Sequence, residues 1–385
     1  MDVEEQRTAV VAGGGIGGLA TAVALTRAGW TVTVHERSAT GKPIGAGLIL
    51  WPNAVRALHA LGLDEALRAR AVALPGSGVR RPDGRWLSRT RSAEVIARHG
   101  CSQLAITRAD LVEMLTSALP SGCLRLGSTV TSADPGGPDR QAVVACGDQR
   151  VSADLVVAAD GVNSRLRRLL LPDQPPAEYR GYVGWRALVH APAITVEAAS
   201  ETWGRAERFG VVPMGRGLVY LYATANTAAG RPLGDELSEL RARFGQWHEP
   251  IPALLDVLAP GDLLQHDIVA VHPALRRLHH GRVALLGDAA HGMEPNLGQG
   301  AGLAIEDAVV LARALADGSS TADGLAGYDR ARVARVARLA RQSRLLGRLT
   351  QSPSAVVGAL RDGVAGLIPD RFAVRGFDDA AGWRP

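Results

Sequence analysis

Gly13, Gly15 and Gly18 stand at G-x-G-x-x-G spacing, directly after the apolar run Thr8–Ala12 and at the head of a helical stretch. In that context each glycine has its own task. The first allows a tight turn, the second lets backbone approach a pyrophosphate, and the third brings helix and strand close together. The amides at the helix start, that of Ile16 among them, present the positive end of a helix dipole to the phosphates. Glu36, followed by Arg37, ends the next strand, where an acid roughly 20 positions beyond the glycines accepts ribose hydroxyls. This set reads as a dinucleotide-binding unit. By itself it does not separate NAD from FAD.

A second chemistry-bearing segment, Arg282 to His291, is followed by Pro295-Asn296-Leu297-Gly298-Gln299-Gly300. Asp288 comes after an apolar strand and Gly287, so its carboxylate falls at a strand's C-terminal edge, where ligands bind in such sheets. There it accepts hydrogen bonds from a ribityl chain, or else it caps the next helix. Pro295 stiffens the approach to a ring. The amides of Gly298, Gly300 and Ala301 open a helix running through Ile305-Glu306-Asp307, and they can face the edge where a reduced flavin carries negative charge. His291 reads as a local structural hydrogen-bonder. A glycine turn for the pyrophosphate and a distal segment for the ribityl chain together point to FAD. No His or Cys sits in an obvious attachment motif, so the FAD is expected to be non-covalent.

The third motif runs from Asp154 to Arg167 as a buried strand, the Asp160-Gly161 turn and a helix capped by Ser164. These three motifs, in this order, resemble the class A single-component flavoprotein monooxygenases of the para-hydroxybenzoate hydroxylase type, a pattern shared by salicylate, urate and 6-hydroxynicotinate hydroxylases. The resemblance spans most of the chain and is weaker in the substrate domain. It implies an α/β fold: a Rossmann-like FAD-binding domain (GR2-type) with an inserted antiparallel-sheet substrate domain and a C-terminal helix. Asp160 and Gly161 would serve FAD and the nicotinamide cofactor. Gly45-Ala46-Gly47 with Trp51-Pro52-Asn53 resembles the family's loop along the flavin, and Thr107-Arg108-Ala109-Asp110-Leu111 its FAD-contacting arginine helix. Val130 joins the expected cofactor contacts.

The implied activity uses NADH or NADPH as reductant and O2 as co-substrate. One oxygen atom passes from a flavin C4a-hydroperoxide to a small aromatic or natural-product substrate. Pro295 and Gly298 are the expected catalytic positions on the flavin side, with Arg186 and Tyr222 on the substrate side. Arg186 either pairs with an anionic substrate or bridges to a surface carboxylate. Tyr220 and Tyr222 share a strand face, and packing accounts for at least one of them. An FAD-dependent epoxidase, an isoprenoid reductase of the geranylgeranyl reductase type and a non-catalytic flavin-binding partner protein are the alternatives. A halogenase is disfavoured, because by resemblance it needs a dedicated lysine and a Trp-x-Trp-x-Ile-Pro segment. Lys42, the only lysine, lies in the flavin loop, and no tryptophan pair has that spacing.

The elements that must position these residues begin with a βαβ unit: strand Thr8–Ala12, helix Gly15–Ala28, strand Thr31–Glu36. Helices are expected over Asn53–Ala60 and Asp64–Arg70, and a capping box at Thr107–Asp110 opens another through Leu119. Strands Gln141–Cys146 and Leu155–Ala159 and a helix Ser164–Leu171 follow. Pro172, Pro175 and Pro176 mark a linker to a strand-rich stretch, Tyr182–His190, Arg208–Val212 and Leu218–Ala223, ending near Gln265–Val271. Residues 1–72, 101–175 and 271–320 are assigned to the FAD-binding domain and 73–100 and 176–270 to the substrate domain. Residues 321–385 form a C-terminal helical segment, with a helix over Asp323–Leu349 and a loosely packed tail beyond Pro353.

Composition sets the remaining bounds. With 385 residues, 46% hydrophobic and 21% charged, the chain can bury one or two substantial cores. It has no apolar run of about 18 residues and no signal-peptide pattern, so a membrane is not an expected partner. Cys101, Cys123 and Cys146 form neither an even disulfide set nor metal-type spacing, which favours a reduced, cytoplasmic setting and no metal. The net charge of +5 comes from arginines spread along the chain, and aromatics make up only 4%. That argues against nucleic acid and for mild attraction of anionic phosphates. The expected partner is a small-molecule substrate; the oligomeric state stays open.

Overall fold

Thr8–Ala12 lies inside a six-stranded sheet, parallel to Thr31–Glu36 on one side and to Leu155–Ala158 on the other. Beyond these, Leu124–Leu126 extends one edge, and Val283–Leu285 followed by His279–His280 extends the other. The inner strands are apolar on both faces, as a sheet covered on two sides requires: Val10, Val11, Leu155, Val156, Val157, Val283 and Leu285 are all buried. The helices Ile16–Arg27 and Gly300–Ala316 pack closely because small residues face the contact. A Cβ placed on Gly17 would lie 2.9 Å from a Leu286 methyl and 3.2 Å from Ala304 Cβ. The computed structural model describes residues 6–41, 47–231, 234–316, 320–367, 369 and 374–385.

A second sheet has seven strands, in the order Leu264–Ala270, Glu178–His190, Leu218–Asn226, Glu207–Gly215, Ala199–Trp203, Gly76–Arg80, Trp86–Arg91. Alternation with period two gives it two different faces. One carries Val183, Trp185, Ala187, Phe209, Val211 and Leu221, buried under the helices Glu236–Phe244 and Ile251–Asp256. The other carries Arg186, Tyr220 and Tyr222; its apolar part, Val212 with Tyr220, packs on Leu74 and Ala105. Ala105 belongs to a small sheet of Gly47–Leu50, Leu104–Thr107 and Val72–Ala73, which therefore joins the flavin-loop strand to the substrate sheet.

Two sequence readings need correction. The helix expected from Asp323 spans Thr321–Thr350, capped by the Ser320 side chain on the Asp323 amide. The tail is not uniformly loose. Helix Ala355–Leu367 leaves Val356, Leu360, Val364 and Leu367 exposed. The last residues, by contrast, are docked: Arg56 Nε donates to the Trp383 carbonyl at 2.8 Å and Arg335 Nη1 to that of Asp379 at 2.7 Å. The tail is held by arginines on backbone carbonyls together with the apolar packing of Ala380, Ala381 and Trp383. Among the described residues no helix is long and apolar enough to cross a membrane.

Candidate active site

The glycine loop is built on close approaches that a side chain would block. Gly13 adopts φ +111°, and a Cβ there would sit 2.3 Å from the Ala159 carbonyl oxygen; one on Gly18 would sit 2.0 Å from that of Gly13. Gly15 faces open space, with no atom within 4 Å of its Cβ position, and Ile16 is buried behind it. Glu36 Oε2 accepts the Gly14 amide at 2.7 Å, and Oε1 accepts the Ser38 amide at 2.8 Å. The carboxylate expected to hold ribose thus also closes the loop, and each oxygen keeps acceptor capacity for a hydroxyl. Arg37 is exposed. Val130 is buried and follows Ser128, whose amide donates to the Glu36 carbonyl at 2.9 Å. Gly45 and Ala46 lie outside the described residues. Gly47 opens its strand against Tyr220, whose Cγ would be 2.5 Å from a Cβ at that glycine.

The middle and distal motifs are fastened together. Both Asp160 oxygens are engaged locally, by the Ser164 hydroxyl and by the amides of Arg165 (2.8 Å) and Leu166 (3.1 Å), while Gly161 takes φ +85° beside open space. Asp160 therefore shapes the turn. Arg167 is buried and donates to the Ala289 carbonyl at 2.7 Å and to that of Val162 at 2.6 Å, bridging this turn to the Gly287-Asp288 segment. Gly287, at φ +59°, is the cap residue of the short helix Asp288–His291, and no side chain caps it. The Asp288 carboxylate is exposed and receives no hydrogen bond among the described residues. Its Oδ1 is 3.9 Å from the Cβ position of Gly300.

Across from it stand two arginines. Arg108 begins the helix Arg108–Ser117, capped by Thr107, whose hydroxyl accepts the Asp110 amide at 2.9 Å. Burial lowers the Arg108 pKa, with Asp288 opposing and Arg186 reinforcing the shift, so all three are within electrostatic reach. Neither guanidinium makes a hydrogen bond or ion pair among the described residues, and none of these supplies a carboxylate for Arg186 to bridge. Burial, then the Arg186 charge, push the His266 pKa down to about 4, leaving that imidazole neutral at pH 7. Tyr222, paired in register with Arg186, spends its hydroxyl on Glu201 Oε2 at 2.8 Å. Burial and that carboxylate hold its phenol well above the usual range. Its ring closes over Gly210, whereas Tyr220 reaches the flavin-loop strand.

Pro295 and Gly298 are both exposed, and Gly298 takes the left-handed φ of +61° with Trp51 Nε1 3.4 Å from its Cβ position. Gly300 and Ala301 are half-buried at the helix start. Two networks behind them escaped the sequence reading. In the first, Asn53 Nδ2 donates to Gln299 Oε1 (2.9 Å) and Glu306 Oε1 (2.7 Å), and Arg332 joins Glu306 (2.7 Å) to Asp307 (2.6 Å). In the second, Arg208 Nη2 donates to Asn296 Oδ1 at 2.6 Å. There also Tyr182 (3.0 Å) and Arg180 (3.0 Å) donate to Glu294, tying the substrate sheet to the loop of Pro295. The only signal for the first was a pair of acids inside an apolar helix; the second had none.

A glycine cradle open at Gly15, an uncommitted Asp288 and an unpaired Arg108 fit FAD: its pyrophosphate, its ribityl chain and its electron-rich ring edge. The chain belongs to the family described as FAD binding domain, which it matches over residues 6–343, and within it to the FAD-dependent monooxygenases of the para-hydroxybenzoate hydroxylase type. It is 36% identical over 359 residues to the aurachin C monooxygenase/isomerase of Stigmatella aurantiaca, covering 92% of each chain. It is 32% identical over 345 residues to the FAD-dependent urate hydroxylase of Klebsiella pneumoniae, covering 87% of this chain and 88% of the other. The structure of Klebsiella pneumoniae HpxO complexed with FAD and uric acid superposes with a TM-score of 0.92 at 28% identity, covering both chains completely.

Proposed function

We propose that the chain catalyses NAD(P)H- and O2-dependent insertion of one oxygen atom into a small aromatic substrate bearing an acidic group. The balance is substrate–H + O2 + NAD(P)H + H+ giving substrate–OH + H2O + NAD(P)+. The observation that carries the substrate class is Arg186, an unpaired cation on the substrate-sheet face, beside a neutral His266 and a second unpaired cation, Arg108. A guanidinium left without a carboxylate in a half-buried site favours an anionic or acidic ligand. Relatives named for urate, 6-hydroxynicotinate and 2-heptyl-3-hydroxy-4(1H)-quinolone support heteroaromatic rings as the class to test first.

Bound FAD supplies the redox chemistry, accepting electrons from NAD(P)H and delivering them to O2. The protein's part is to hold and orient. The Gly13–Gly18 loop and Glu36 take the nucleotide end, and Asp288 the ribityl chain. The amides at Gly300 and Ala301, with Arg108, favour negative charge at the ring edge, while that of Gly298 donates to the Pro295 carbonyl at 2.9 Å and closes the turn. Pro295 and Tyr220 wall the space in which substrate lies against the ring.

The test is NAD(P)H consumption by the purified yellow protein across hydroxylated N-heterocycles, aromatic acids and phenols, run under 18O2. Stimulated consumption and a product carrying one 18O atom are expected. Oxygen derived from water, or a saturated product formed without O2, would move the chain to another flavin chemistry. No stimulation by any ring would favour the non-catalytic flavin-binding reading.

A further inference from the structure

Beside the helix Pro52–Ala60 opens a cleft of about 300 Å³ lined by Arg56, Arg98, His99, Asp378, Gly382 and Arg384. It shares no residue with the Arg186 face. Part of its lining is buried: the His99 side chain is 6% exposed, its Nε2 makes no hydrogen bond, and Asp378 stands 3.6 Å away. Arg56 is fixed by the carbonyls of His99 (2.7 Å) and Trp383 (2.8 Å), and Arg98 pairs with Asp378. Arg384 is exposed and makes no hydrogen bond or ion pair among the described residues. Three guanidiniums therefore face one carboxylate. Burial lowers the His99 pKa; Asp378 opposes that shift and all three arginines add to it.

Convergent guanidiniums are the donors that phosphate oxygens need, and the unpartnered His99 nitrogen adds one more in the tautomer that carries its proton on Nε2. The cleft also leads toward the flavin-side turn. Phe377, next to Asp378 in the chain, stacks on Trp51 with ring centroids 4.5 Å apart, and Trp51 Nε1 lies 3.4 Å from the Cβ position of Gly298. We propose that this cleft, rather than the Asp160-Gly161 turn that the resemblance implies, takes the phosphates of the nicotinamide dinucleotide, which extends from there along the Phe377 and Trp51 rings toward the flavin. The inference rests on the NAD(P)H dependence proposed above.

The experiment uses the full-length FAD-loaded protein and calorimetric titration with NADH, NADPH, ADP-ribose and inorganic phosphate. The variants are Arg384→Glu and, as a control for bulk charge, Arg348→Glu, which alters an exposed arginine of the helix Thr321–Thr350. Arg384→Glu is expected to weaken dinucleotide and ADP-ribose binding about tenfold or more and to raise the reductant KM by a like factor. FAD content and kcat at saturation should be unchanged, and Arg384→Lys should recover part of the loss. Equal losses in both charge reversals, or none in Arg384→Glu, would overturn the assignment. So would inorganic phosphate binding that NAD(P)H does not displace. A wild-type protein that oxidises neither NADH nor NADPH with any substrate would instead overturn the function itself, whereas oxidation with an unchanged KM in Arg384→Glu overturns only the cleft.

Discussion

Asp307 Oδ2 lies 2.6 Å from His291 Nε2 and accepts the Gly287 amide at 3.0 Å, so one buried carboxylate sets the turn that presents Asp288. Its other oxygen receives Arg332 Nε at 2.6 Å. Burial alone would raise the Asp307 pKa, but His291 and Arg332 outweigh it and hold the group at about 2. A pKa lower folded than unfolded contributes stability above the ordinary value of 3.8 and loses it as pH falls toward 2. Asp307→Asn leaves Arg332 short of a partner and should cost about 3–5 kcal/mol, as breaking a buried pair does. Melting curves from pH 2 to 7 check this: the variant should melt lower at pH 7 and show a flatter acid limb. Matching curves would show that the pair is energetically idle.

Glu36→Ala should weaken FAD binding about ten- to a hundredfold, the equivalent of losing charge-assisted hydrogen bonds of roughly 1.5–3 kcal/mol. Turnover at saturating FAD should change little, because the residue acts far from the ring. Since Glu36 also holds the Gly14 and Ser38 amides, apo-protein stability should fall as well. Fluorescence titration of released FAD measures the first effect. An unchanged dissociation constant would reduce Glu36 to a loop brace.

Arg186→Met should raise substrate KM by about tenfold or more with a small effect on kcat, if the guanidinium meets an acidic group. The same change removes a cation from beside His266. The imidazole pKa should then rise above about 4 but remain below the ordinary 6.5, since burial is the larger cause and persists. Titration of the His266 ring signal by NMR reads this independently of any substrate. A raised pKa with unaltered KM would place Arg186 beside His266 on the substrate-sheet face but off the ligand.

Gly298 sits at φ +61°, a conformation Asn tolerates and Val resists. Gly298→Asn should therefore preserve the turn while adding a side chain beside Trp51. The expected result is near-native melting with a severalfold larger share of NAD(P)H electrons appearing as peroxide. Gly298→Val should lose both coupling and stability. Coupling retained in both variants would leave Gly298 a turn residue and nothing more.

Glycine spacing and alternation were readable in the sequence because their causes are local. The βαβ unit needs Gly13, Gly15 and Gly18 where they stand; the α/β architecture came with the family resemblance, and the substrate sheet is antiparallel except where Ala199–Trp203 runs parallel to Gly76–Arg80. Partnerships across the chain were not readable. Arg332 lies in an arginine-rich helix that resembles a solvated face, yet it is buried because Glu306 and Asp307 come from a helix inside the core. Tyr220 and Tyr222 were equivalent by alternation. They part company only because Gly47 and Gly210, from different strands, make room for their rings. Asp160 reads as a ligand-facing acid, and its second task was not readable: its oxygens brace the turn through the Ser164 hydroxyl and the helix amides beside it.

The order of strands in the six-stranded sheet bears on how the chain is made. Thr8–Ala12 pairs with Leu155–Ala158, made much later in the chain, and that strand in turn pairs with Val283–Leu285. The sheet cannot be completed until the last of these has left the ribosome, and such long-range parallel pairing is slow and exposes apolar edges meanwhile. During synthesis the seven-stranded sheet's main hairpins, closed between neighbours in sequence, can form first, while the nucleotide-binding half waits for its distal strand. Completion of the nucleotide-binding sheet therefore waits for Val283–Leu285, and a chain truncated before residue 283 should be an aggregation-prone product rather than a smaller flavoprotein.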